Sequence, residues 1–562
     1  MKLERVWKDN NAEEQEYRSL GVWTDLCVHD FFDRNVEKYP DKEAIVDRKW
    51  RLTYRQAQKI TKRLALQFIE LGVKAKDAVA VQTPGWAEMP LTHIALNRVG
   101  ANFVPMSNAW REKEIGHLLK ISEAKMVIVP YIFHNFNYME MINKLRPELP
   151  ALNHVIVIGD DVPEGLLSFD RLIEEPIEEK YPADYLDQIE VDPNWPLSVM
   201  VSSGTTGLPK IGQWTDNNLT DLQIGILEGG TKVTPDDIFI AAAPISTGAT
   251  GYVCPVLGAL RAGATSVILE RWEDPKKALD LVVREKGTVL CLIPTQAIKL
   301  LCEDLESYDL SRLRCIPNAG AAFPYDAARE AEKRFGARLQ TFYGSTEGGL
   351  AAVCSVDDPE DERLAAAGKS FPGLDLRVVD DDNQEVPRGQ NGEVKWRGAI
   401  KTWGHLGQPE LDKDVFDSEG YYHSGDIGYI NARGVLFIVG RKKDMIIRGG
   451  QNINPGLIEG ILLEHPKVAE AAVIGMPDLV FGERVCAFVV PASGETFTFE
   501  EMSSFFGQHG TAKYNFPERL EIVSELPRSA GAKLIKKDLV DMIVQKLKQE
   551  GKLPPDFVPR IK

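Results

Sequence analysis

Short apolar segments alternate with helix-like segments along most of the chain. The apolar segments lack the polar face of a solvent-exposed strand, which is typical of parallel sheets covered by helices on both faces. This alternation predicts an α/β fold in which a large N-terminal domain consists of parallel-sheet subdomains. The predicted strands are 78–82, 125–130, 154–159, 265–269 and 288–293, and the predicted helices are 87–99, 256–262 and 275–286.

The pattern changes twice toward the C-terminus. Between residues 374 and 398 polar and apolar residues alternate around turn-forming pairs, which predicts a small β-barrel-like region. The second change comes at the polar segment 440–444, and the chain beyond it has its own helices and strands. We therefore predict an N-terminal domain over residues 1–440 and a small α+β C-terminal domain over residues 441–562. The elements predicted in the latter are helices 456–463 and 536–549 and strands 468–475 and 485–491.

Length, charge and cysteine usage exclude several classes of protein. A chain of 562 residues can bury a large core without disulfides or metals. The net charge of −17 argues against nucleic acid or an anionic membrane as the main partner. The seven cysteines form no CxxC pair, which indicates reduced thiols in a cytoplasmic protein. No apolar run reaches the roughly 18 residues that a membrane span needs, so none is expected.

A loop rich in glycine and hydroxyl side chains follows the strand-like segment 197–201. Glycines let backbone N–H groups approach an anion, hydroxyls donate to its oxygens, and Lys210 adds a positive charge. The loop differs from a Walker A loop because Pro209, and not glycine, precedes the lysine. An ordinary surface loop can have a similar composition, so the composition alone does not distinguish a phosphate-binding loop from a surface loop. The predicted phosphate-binding residues are Ser202, Ser203, Gly204, Thr205, Thr206, Gly207 and Lys210.

Five motifs, spread in order along the chain, resemble the adenylate-forming superfamily. That superfamily comprises acyl- and aryl-CoA synthetases, peptide-synthetase adenylation domains and luciferases. The sequence pattern of the chain is most similar to that of the branch that activates aromatic acids. The resemblance also implies a mobile C-terminal domain. The motifs are SSGTTGLPK at 202–210, YGSTE at 343–347, YHSGD at 422–426, GRKKD at 440–444, and LPRS at 526–529 running on to Lys533.

The resemblance implies an AMP-forming acid–thiol ligase. A carboxylate would attack the α-phosphate of ATP to give an acyl-adenylate and pyrophosphate, and a thiol would then give a thioester and AMP. It implies ATP, Mg²⁺ and coenzyme A as cofactors, a small carboxylic acid as partner, and a monomer or homodimer. Two alternatives stay open: a stand-alone aryl-acid adenylating enzyme that loads a carrier protein, and a non-catalytic nucleotide-binding sensor.

The resemblance also assigns residue roles. Lys533 would bridge the attacking carboxylate and the α-phosphate, where negative charge builds up. Thr346 would contact phosphate, and Glu347 would ligate Mg²⁺, a hard cation that prefers oxygen ligands. Asp426 would accept hydrogen bonds from the ribose hydroxyls, and Arg441 would share that sugar. The further nucleotide-binding positions are Gly320, Ala321, Ala322, Thr341, Phe342, Tyr343, Gly344, Ser345 and Ile438.

Small residues occupy the positions that face the acid in relatives. Enzymes for hydroxylated benzoates typically have an Asn at the position of Gly248, so a dihydroxybenzoate is not expected. Small, apolar linings suit a bulky uncharged group, which favours an unhydroxylated aromatic or alicyclic ring acid or a medium-chain acid. Alternatively, Gly248 only permits a turn. The implied acid-binding residues are Thr247, Gly248, Ala249, Ala319, Gly320 and Gly349.

The second half-reaction implies a further set of positions. Relatives rotate the C-terminal domain about a hinge that aligns with Lys443, and Arg448, Gly449 and Gly450 would then line the CoA tunnel. The chain departs from the family pattern at Ala532, where glycine is usual, and at Asp216, where histidine is common.

Overall fold

A computed structural model describes residues 11–159, 162–202, 208–246, 248–321, 323–448, 451–509, 511–528 and 534–557. The chain divides into two compact units. The first contains the residues up to Leu376 together with Trp396–His423, and the second contains Arg377–Lys395 together with the residues from Ser424 onwards. Because strands that precede residue 441 pack within the second unit, the packing boundary is not at that residue. The functional domain boundary at residue 441 stays a prediction.

Two large, mainly parallel sheets form the centre of the first unit, as the alternating pattern predicts. The eight-stranded sheet is parallel except for one antiparallel pair at each end. Its strands lie in the order Gly349–Val353, Arg338–Ser345, Cys315–Asn318, Val289–Cys291, Ile238–Ala241, Thr265–Ile268, Glu43–Val46 and Arg51–Thr53.

The seven-stranded sheet is parallel except for one antiparallel pair at one edge. Its strands lie in the order Lys210–Trp214, Ser198–Ser202, Asn102–Met106, Ala78–Gln82, Met126–Pro130, His154–Ile158 and Leu167–Ser168. A separate two-stranded ribbon joins Ile132–Phe133 to Phe136–Asn137. The strands predicted from apolar runs are fully buried in several cases, as Ala78–Gln82 and Met126–Pro130 show.

Helices connect the parallel strands and cover the sheets, and each sheet has its own apolar core. The described α-helices of this unit are Asn11–Ser19, Val28–Lys38, Tyr54–Glu70, Glu88–Arg98, Glu112–Ile121, Tyr138–Leu145, Phe169–Glu174, Asp216–Gln223, Ala259–Arg261, Pro275–Glu285, Pro294–Leu300, Tyr325–Phe335 and Glu360–Ala365.

One predicted helix begins earlier than expected. The sequence predicts a helix at 256–262, but the chain is already helical from Gly248, as a π-helix over Gly248–Gly258 followed by Ala259–Arg261. Glycines and an internal proline, Pro255, give this segment a poor intrinsic helix propensity, so the pattern before residue 256 does not read as a helix. We call Gly248–Gly258 the pocket helix because it begins at the predicted acid-binding residues.

Every residue of helix Glu88–Arg98 is buried, although several are polar. Burial of polar side chains is tolerated where each finds a partner. The Asn97 amide donates to Asp216 at 2.8 Å, and the Arg98 guanidinium donates to Asp33 at 2.7 Å. Asp216 is therefore part of the hydrogen-bonded framework of the fold.

The second unit contains most of a four-stranded sheet, in the order Leu374–Val379, Gly392–Gly398, Tyr422–Ile430 and Leu436–Arg441, at the predicted barrel-like region. A five-stranded sheet follows, formed by Ile446–Arg448, Gln451–Ile453, Val468–Asp478, Gly482–Pro491 and Arg519–Ile522. Helices Pro455–Leu463, Phe499–Gln508 and Lys536–Gln549 pack against it around two apolar clusters.

Two further observations concern the whole chain. All seven cysteines are free thiols. Within the described segments, no helix combines the length and the apolar composition that crossing a membrane requires.

Candidate active site

Two hairpins at the edges of the large sheets bring two of the predicted motifs together. Strands Ser198–Ser202 and Lys210–Trp214 are antiparallel neighbours, and the predicted phosphate loop connects them. Strands Arg338–Ser345 and Gly349–Val353 are likewise antiparallel, and Thr346 and Glu347 lie in their turn. The indole N–H of Trp214 donates to the Thr346 carbonyl at 3.1 Å, so the two hairpins are in direct contact.

Three side chains fix the backbone of the 346–348 turn. Besides the bond from Trp214, the hydroxyl of Thr402 donates to the Glu347 carbonyl and the indole N–H of Trp396 donates to the Gly348 carbonyl, at 2.5 and 2.7 Å. Because the carbonyl groups are occupied by protein donors, the turn has a fixed path. The side chains of Thr346 and Glu347 are half-buried on this turn.

The remaining residues of the YGSTE motif support the same turn. The Ser345 hydroxyl accepts a hydrogen bond from the Gly348 N–H at 2.7 Å. A Cβ at Gly344 would lie 2.3 Å from the Gly349 carbonyl, so this position requires glycine. The Tyr343 ring packs edge-on against Trp396 with a centroid distance of 5.8 Å and remains half-buried. The preceding Thr341 is half-buried and Phe342 is buried.

The predicted adenine-binding loop lies at the end of the neighbouring strand. Strands Cys315–Asn318 and Arg338–Ser345 are parallel, with Asn318 opposite Thr341, so their carboxyl ends meet at one edge. In open α/β sheets ligands bind at such edges. Ala319 is buried, whereas Gly320 and Ala321 are exposed there, and Gly320 adopts a φ of +90°. An exposed stretch with small side chains is open to a flat ring.

The structure adds a residue that the sequence analysis missed. His405 is buried, its Nδ1 lies 2.6 Å from an Asp412 carboxylate oxygen, and its Nε2 lies 3.9 Å from Glu347. Burial lowers the pKa of His405, but the hydrogen bond to Asp412 and the nearby Glu347 carboxylate outweigh burial and raise the pKa to about 9. The imidazole is therefore cationic at neutral pH beside the predicted magnesium ligand. His405 is distant in sequence from Glu347, and no local pattern links the two.

Two of the predicted acid-binding positions, Gly248 and Gly349, have a backbone conformation that favours glycine. Gly248 adopts a φ of +26°, and a Cβ there would lie 3.5 Å from the thioether sulfur of Met200. Ala249 is half-buried beside it. Gly349 has a φ of +77°, and a Cβ would lie 2.5 Å from Ile400, so glycine is required there for the backbone. The positive φ of Gly248 supports the alternative that this glycine permits a turn, and both roles are compatible.

The predicted ribose site lies in the second unit. Asp426 and Arg441 are directly opposite each other on neighbouring antiparallel strands, and the guanidinium lies 3.0 Å from the carboxylate. Asp426 is largely buried, and its N–H donates to the Ser424 hydroxyl at 3.0 Å. Ile438 is half-buried on the strand of Arg441. The two predicted sugar-binding side chains are therefore adjacent.

The hinge and tunnel positions are also in the second unit. Lys443 is exposed within the short helix Lys442–Asp444. The Arg448 guanidinium forms two bonds to Glu518, at 3.0 and 2.8 Å, and lies 4.7 Å from the Phe481 ring centroid. Arg448 thus has a defined orientation at the end of its strand.

Several predicted residues lie outside the described residues, or have side chains of which nothing is described. Lys533 is among them, but Arg528 and Leu534 on either side of it form an antiparallel bridge. The nearby Lys536 lies 2.7 Å from Glu459 and has a structural partner. The others are Ser203, Gly204, Thr205, Thr206, Gly207, Thr247, Ala322, Gly449 and Gly450, together with the side chain of Ser202.

Two parallel-sheet subdomains whose edge hairpins carry the loop and YGSTE motifs, followed by a small C-terminal unit, define the class of adenylate-forming enzymes. The model of the AMP-binding enzyme family matches residues 32–404, and that of the AMP-binding enzyme C-terminal domain matches residues 457–533. The chain belongs to the AMP-binding enzyme family. It is an ATP-binding, AMP-forming acid–thiol ligase.

Curated relatives span nearly the full chain. The chain is 33% identical over 550 residues to the medium-chain fatty-acid–CoA ligase of Escherichia coli (strain K12), covering 96% of this chain and 95% of that protein. It is 32% identical over 546 residues to the 2,3-dihydroxybenzoate-AMP ligase of Bacillus subtilis (strain 168), covering 96% and 98%. ATP-bound MatB from Rhodopseudomonas palustris is similar in structure, with a TM-score of 0.80, 27% identity, and 92% and 99% coverage.

Proposed function

We propose that the protein is a carboxylic acid–CoA ligase whose acid is an unhydroxylated aromatic or alicyclic ring acid or a medium-chain acid. The observation that carries the acid preference is the start of the pocket helix, where a Cβ on Gly248 would lie 3.5 Å from the Met200 thioether. An apolar sulfur at this position suits an apolar acyl group better than a ring hydroxyl. The similarity to a medium-chain fatty-acid–CoA ligase agrees with this preference.

The first half-reaction would use residues of both motifs. A carboxylate oxygen attacks the α-phosphorus of ATP, the bond to the oxygen that bridges the β-phosphate breaks, and pyrophosphate leaves. We assign Lys533 to the charge that builds on the attacking oxygen and the α-phosphate. Thr346 would donate to phosphate, and its fixed turn limits reorganisation during the reaction. The loop 202–210 would hold the β- and γ-phosphates until they leave.

The donor set at the 346–348 turn fits a magnesium ion. Glu347 supplies a partly exposed carboxylate, and Mg²⁺ in phosphate sites commonly binds one or two carboxylates together with phosphate oxygens. We assign Glu347 as the protein ligand, with the His405 imidazole 3.9 Å from its carboxylate. When bound there, the ion would offset phosphate charge.

The ribose and thiol steps would depend on the second unit. Asp426 would accept bonds from the ribose hydroxyls, and Arg441, at 3.0 Å, would hold that carboxylate in position. In the second half-reaction the CoA thiolate attacks the acyl carbonyl carbon and AMP leaves. We assign Arg448, Gly449 and Gly450 to the CoA tunnel.

Carrier-protein loading is the second candidate function. It is favoured by the 32% identity to a 2,3-dihydroxybenzoate-AMP ligase, nearly equal to that of the CoA ligase. Both functions share the first half-reaction and differ only in the thiol. We propose CoA as the acceptor and the cytoplasm as the location, where the seven free thiols stay reduced.

An acid panel tests these proposals. The protein is incubated with ATP, Mg²⁺ and benzoate, cyclohexanecarboxylate, octanoate, 2,3-dihydroxybenzoate or acetate, with and without CoA, and pyrophosphate and AMP are measured. We expect CoA-dependent AMP release with at least one of the first three acids and little with the last two. Glu347→Gln serves as the control and should abolish the signal.

Other outcomes would separate the alternatives. Acyl-adenylate formation with no turnover of CoA would favour carrier loading. Best activity with 2,3-dihydroxybenzoate would contradict the proposed acid class. No adenylate with any acid would favour a nucleotide-binding sensor.

A further inference from the structure

A buried histidine that belongs to none of the motifs lies between the strand that leads into the phosphate loop and the pocket helix. His93 lies in the middle of helix Glu88–Arg98 and is 1% exposed. Its Nε2 lies 2.7 Å from the hydroxyl of Ser198, and its Nδ1 lies 3.0 Å from the hydroxyl of Tyr252. Ser198 begins the strand that leads into the phosphate loop, and Tyr252 lies in the pocket helix. The ring therefore bridges two elements that are far apart in the sequence.

The surroundings of His93 keep it neutral and fixed. Its ring stacks on Phe103 at a centroid distance of 4.2 Å and an angle of 8°, and Tyr252 stacks on Phe103 at 5.9 Å. Burial lowers the pKa of His93 to about 3 and raises the pKa of Tyr252. A neutral imidazole has one donor and one acceptor nitrogen, so its two bonds have opposite directions. Because stacking on Phe103 restricts the imidazole, a displacement of the Ser198 or Tyr252 hydroxyl also displaces the His93 ring.

The same two elements also lie close together near Met200. Ser198 and Met200 are two residues apart on one strand, so their side chains point to the same face. The Met200 sulfur lies 3.5 Å from the position that a Cβ on Gly248 would occupy. The strand Ser198–Ser202 is thus attached to the pocket helix at Tyr252 through His93, and its Met200 lies close to Gly248.

We propose that His93 is a positioning residue that holds the strand Ser198–Ser202 against the pocket helix, so that the acid site and the phosphate loop keep one fixed relation. This inference rests on the proposed function, in which the loop after Ser202 binds phosphate and the residues around Gly248 bind the acid. Binding of the acid then affects how ATP is held, although His93 touches neither substrate.

Single substitutions can remove the two bonds separately. Ser198→Ala removes the bond at Nε2, and Tyr252→Phe removes the bond at Nδ1 while keeping the ring that stacks on Phe103. In His93→Asn the side-chain amide occupies the place of Nδ1 and keeps only the bond to Tyr252. Tyr54→Phe is the matched control, because Tyr54 also donates a buried hydroxyl, to the Ala264 carbonyl at 2.7 Å.

The kinetic test is a double-mutant cycle on kcat/KM for ATP, measured as pyrophosphate exchange at a fixed acid concentration. We expect Ser198→Ala and Tyr252→Phe to be non-additive by at least about threefold, because each acts through His93. In the His93→Asn background this coupling should vanish, since only one bond remains. Ser198→Ala combined with Tyr54→Phe should be additive. Additive effects of the Ser198 and Tyr252 changes would overturn the proposal.

A structural readout needs no substrate. Amide hydrogen exchange reports local opening of a strand. In Tyr252→Phe the amides of residues 198–202 should exchange at least about threefold faster, whereas Tyr54→Phe should leave them unchanged. Equal protection in both variants would overturn the linkage.

The kinetic cycle and the hydrogen-exchange measurement together distinguish failure of this inference from failure of the proposed function. If the wild-type protein forms no adenylate with any acid, the proposed function fails. The exchange measurement still decides whether His93 attaches the strand to the helix. If adenylation proceeds and the cycle is additive, the positioning role alone is wrong.

Discussion

At the scale of single residues, the backbone of the 346–348 turn is held by side chains other than those assigned to catalysis. Trp214, Thr402 and Trp396 each donate to one backbone carbonyl of the turn. Buried carbonyl groups need such donors, and two of these three are indoles, which carry a single rigid N–H. The side chains of Thr346 and Glu347 are then not required to hold the turn. We propose that they contact phosphate and a cation.

His405 gives a pH-dependent prediction. Its pKa is raised to about 9, above the usual value of 6.5, because the hydrogen bond to Asp412 and the nearby Glu347 carboxylate outweigh burial. The stabilisation is therefore fully present below pH 6.5 and is lost as the pH rises through 9. We expect wild type to exceed His405→Gln by about 2–3 kcal/mol in free energy of unfolding at pH 6, and by much less at pH 10.

Denaturant unfolding of both proteins between pH 6 and 10 measures this difference. His423→Gln is a suitable control, because His423 is partly exposed and lies 3.3 Å from Asp417. If the difference in free energy of unfolding between wild type and His405→Gln stays constant over this range, the neighbouring carboxylates do not raise the pKa of His405.

Lys533 carries the prediction for the first half-reaction. We expect Lys533→Ala to slow adenylate formation by at least about 10²-fold, the scale for removal of one donor to a transition-state charge. Thioester formation from supplied acyl-adenylate should be nearly normal. Lys537→Ala, an exposed lysine nearby, should have little effect on either step. Equal losses in both half-reactions would mean that Lys533 has a structural role.

At the scale of elements, the central strands with continuous apolar runs were predictable from the sequence, whereas some edge strands of the two large sheets were not. The segments at 78–82 and 126–130 read as buried strands because parallel neighbours cover them on both faces. In the two hairpins that carry the motifs, the strand at 198–202 matches the predicted segment 197–201, whereas the largely buried strands Lys210–Trp214 and Gly349–Val353 were not predicted. The pocket helix was mispredicted at its start because its glycines and proline conceal helical winding. The partners of His405 and His93 come from distant segments, so no local pattern reveals them.

The pocket helix provides a specificity prediction. Ala249→Leu adds bulk beside Gly248 without disturbing a positive φ, and overpacking typically costs about 1–3 kcal/mol. We expect KM to rise by about tenfold or more for ring acids and to change little for acetate. Met200→Ala should have the opposite effect and favour longer acids.

Steady-state kinetics on a ring acid, octanoate and acetate measure both variants, and thermal melting checks that they are folded. If Ala249→Leu impairs all acids equally in a folded protein, residue 249 supports the backbone and does not line the acid site.

At the scale of the whole molecule, the order of the motifs was sufficient to indicate the family, but the acid was not predictable. The motifs consist of residues assigned to atoms that all substrates of the family share, those of ATP and magnesium. In the proposed function the acid would instead contact side chains from separate elements, whose arrangement depends on packing. Met200 is proposed as such a residue, and nothing in its strand distinguishes it from an ordinary core methionine.

Lys443 tests the predicted domain rotation. Proline fixes φ near −65° and should restrict a hinge that must change its backbone angles. We expect Lys443→Pro to leave adenylation within about tenfold of wild type and to reduce thioester formation much further, because gating acts on the step that needs the new orientation. Lys443→Ala is the control and should retain both steps. An unimpaired thioester step in folded Lys443→Pro would place the hinge elsewhere.

The bonds of helix Glu88–Arg98 also constrain how this gene can be recombined with those of its relatives. His93 needs a hydroxyl at residue 198 and another at residue 252, and Asn97 needs an acid at residue 216. A crossover between residues 98 and 198 separates the helix from all three partners at once. A crossover after residue 258 inherits them together. Chimaeras joined at the later point should therefore express as folded protein more often, even when the parents are equally distant.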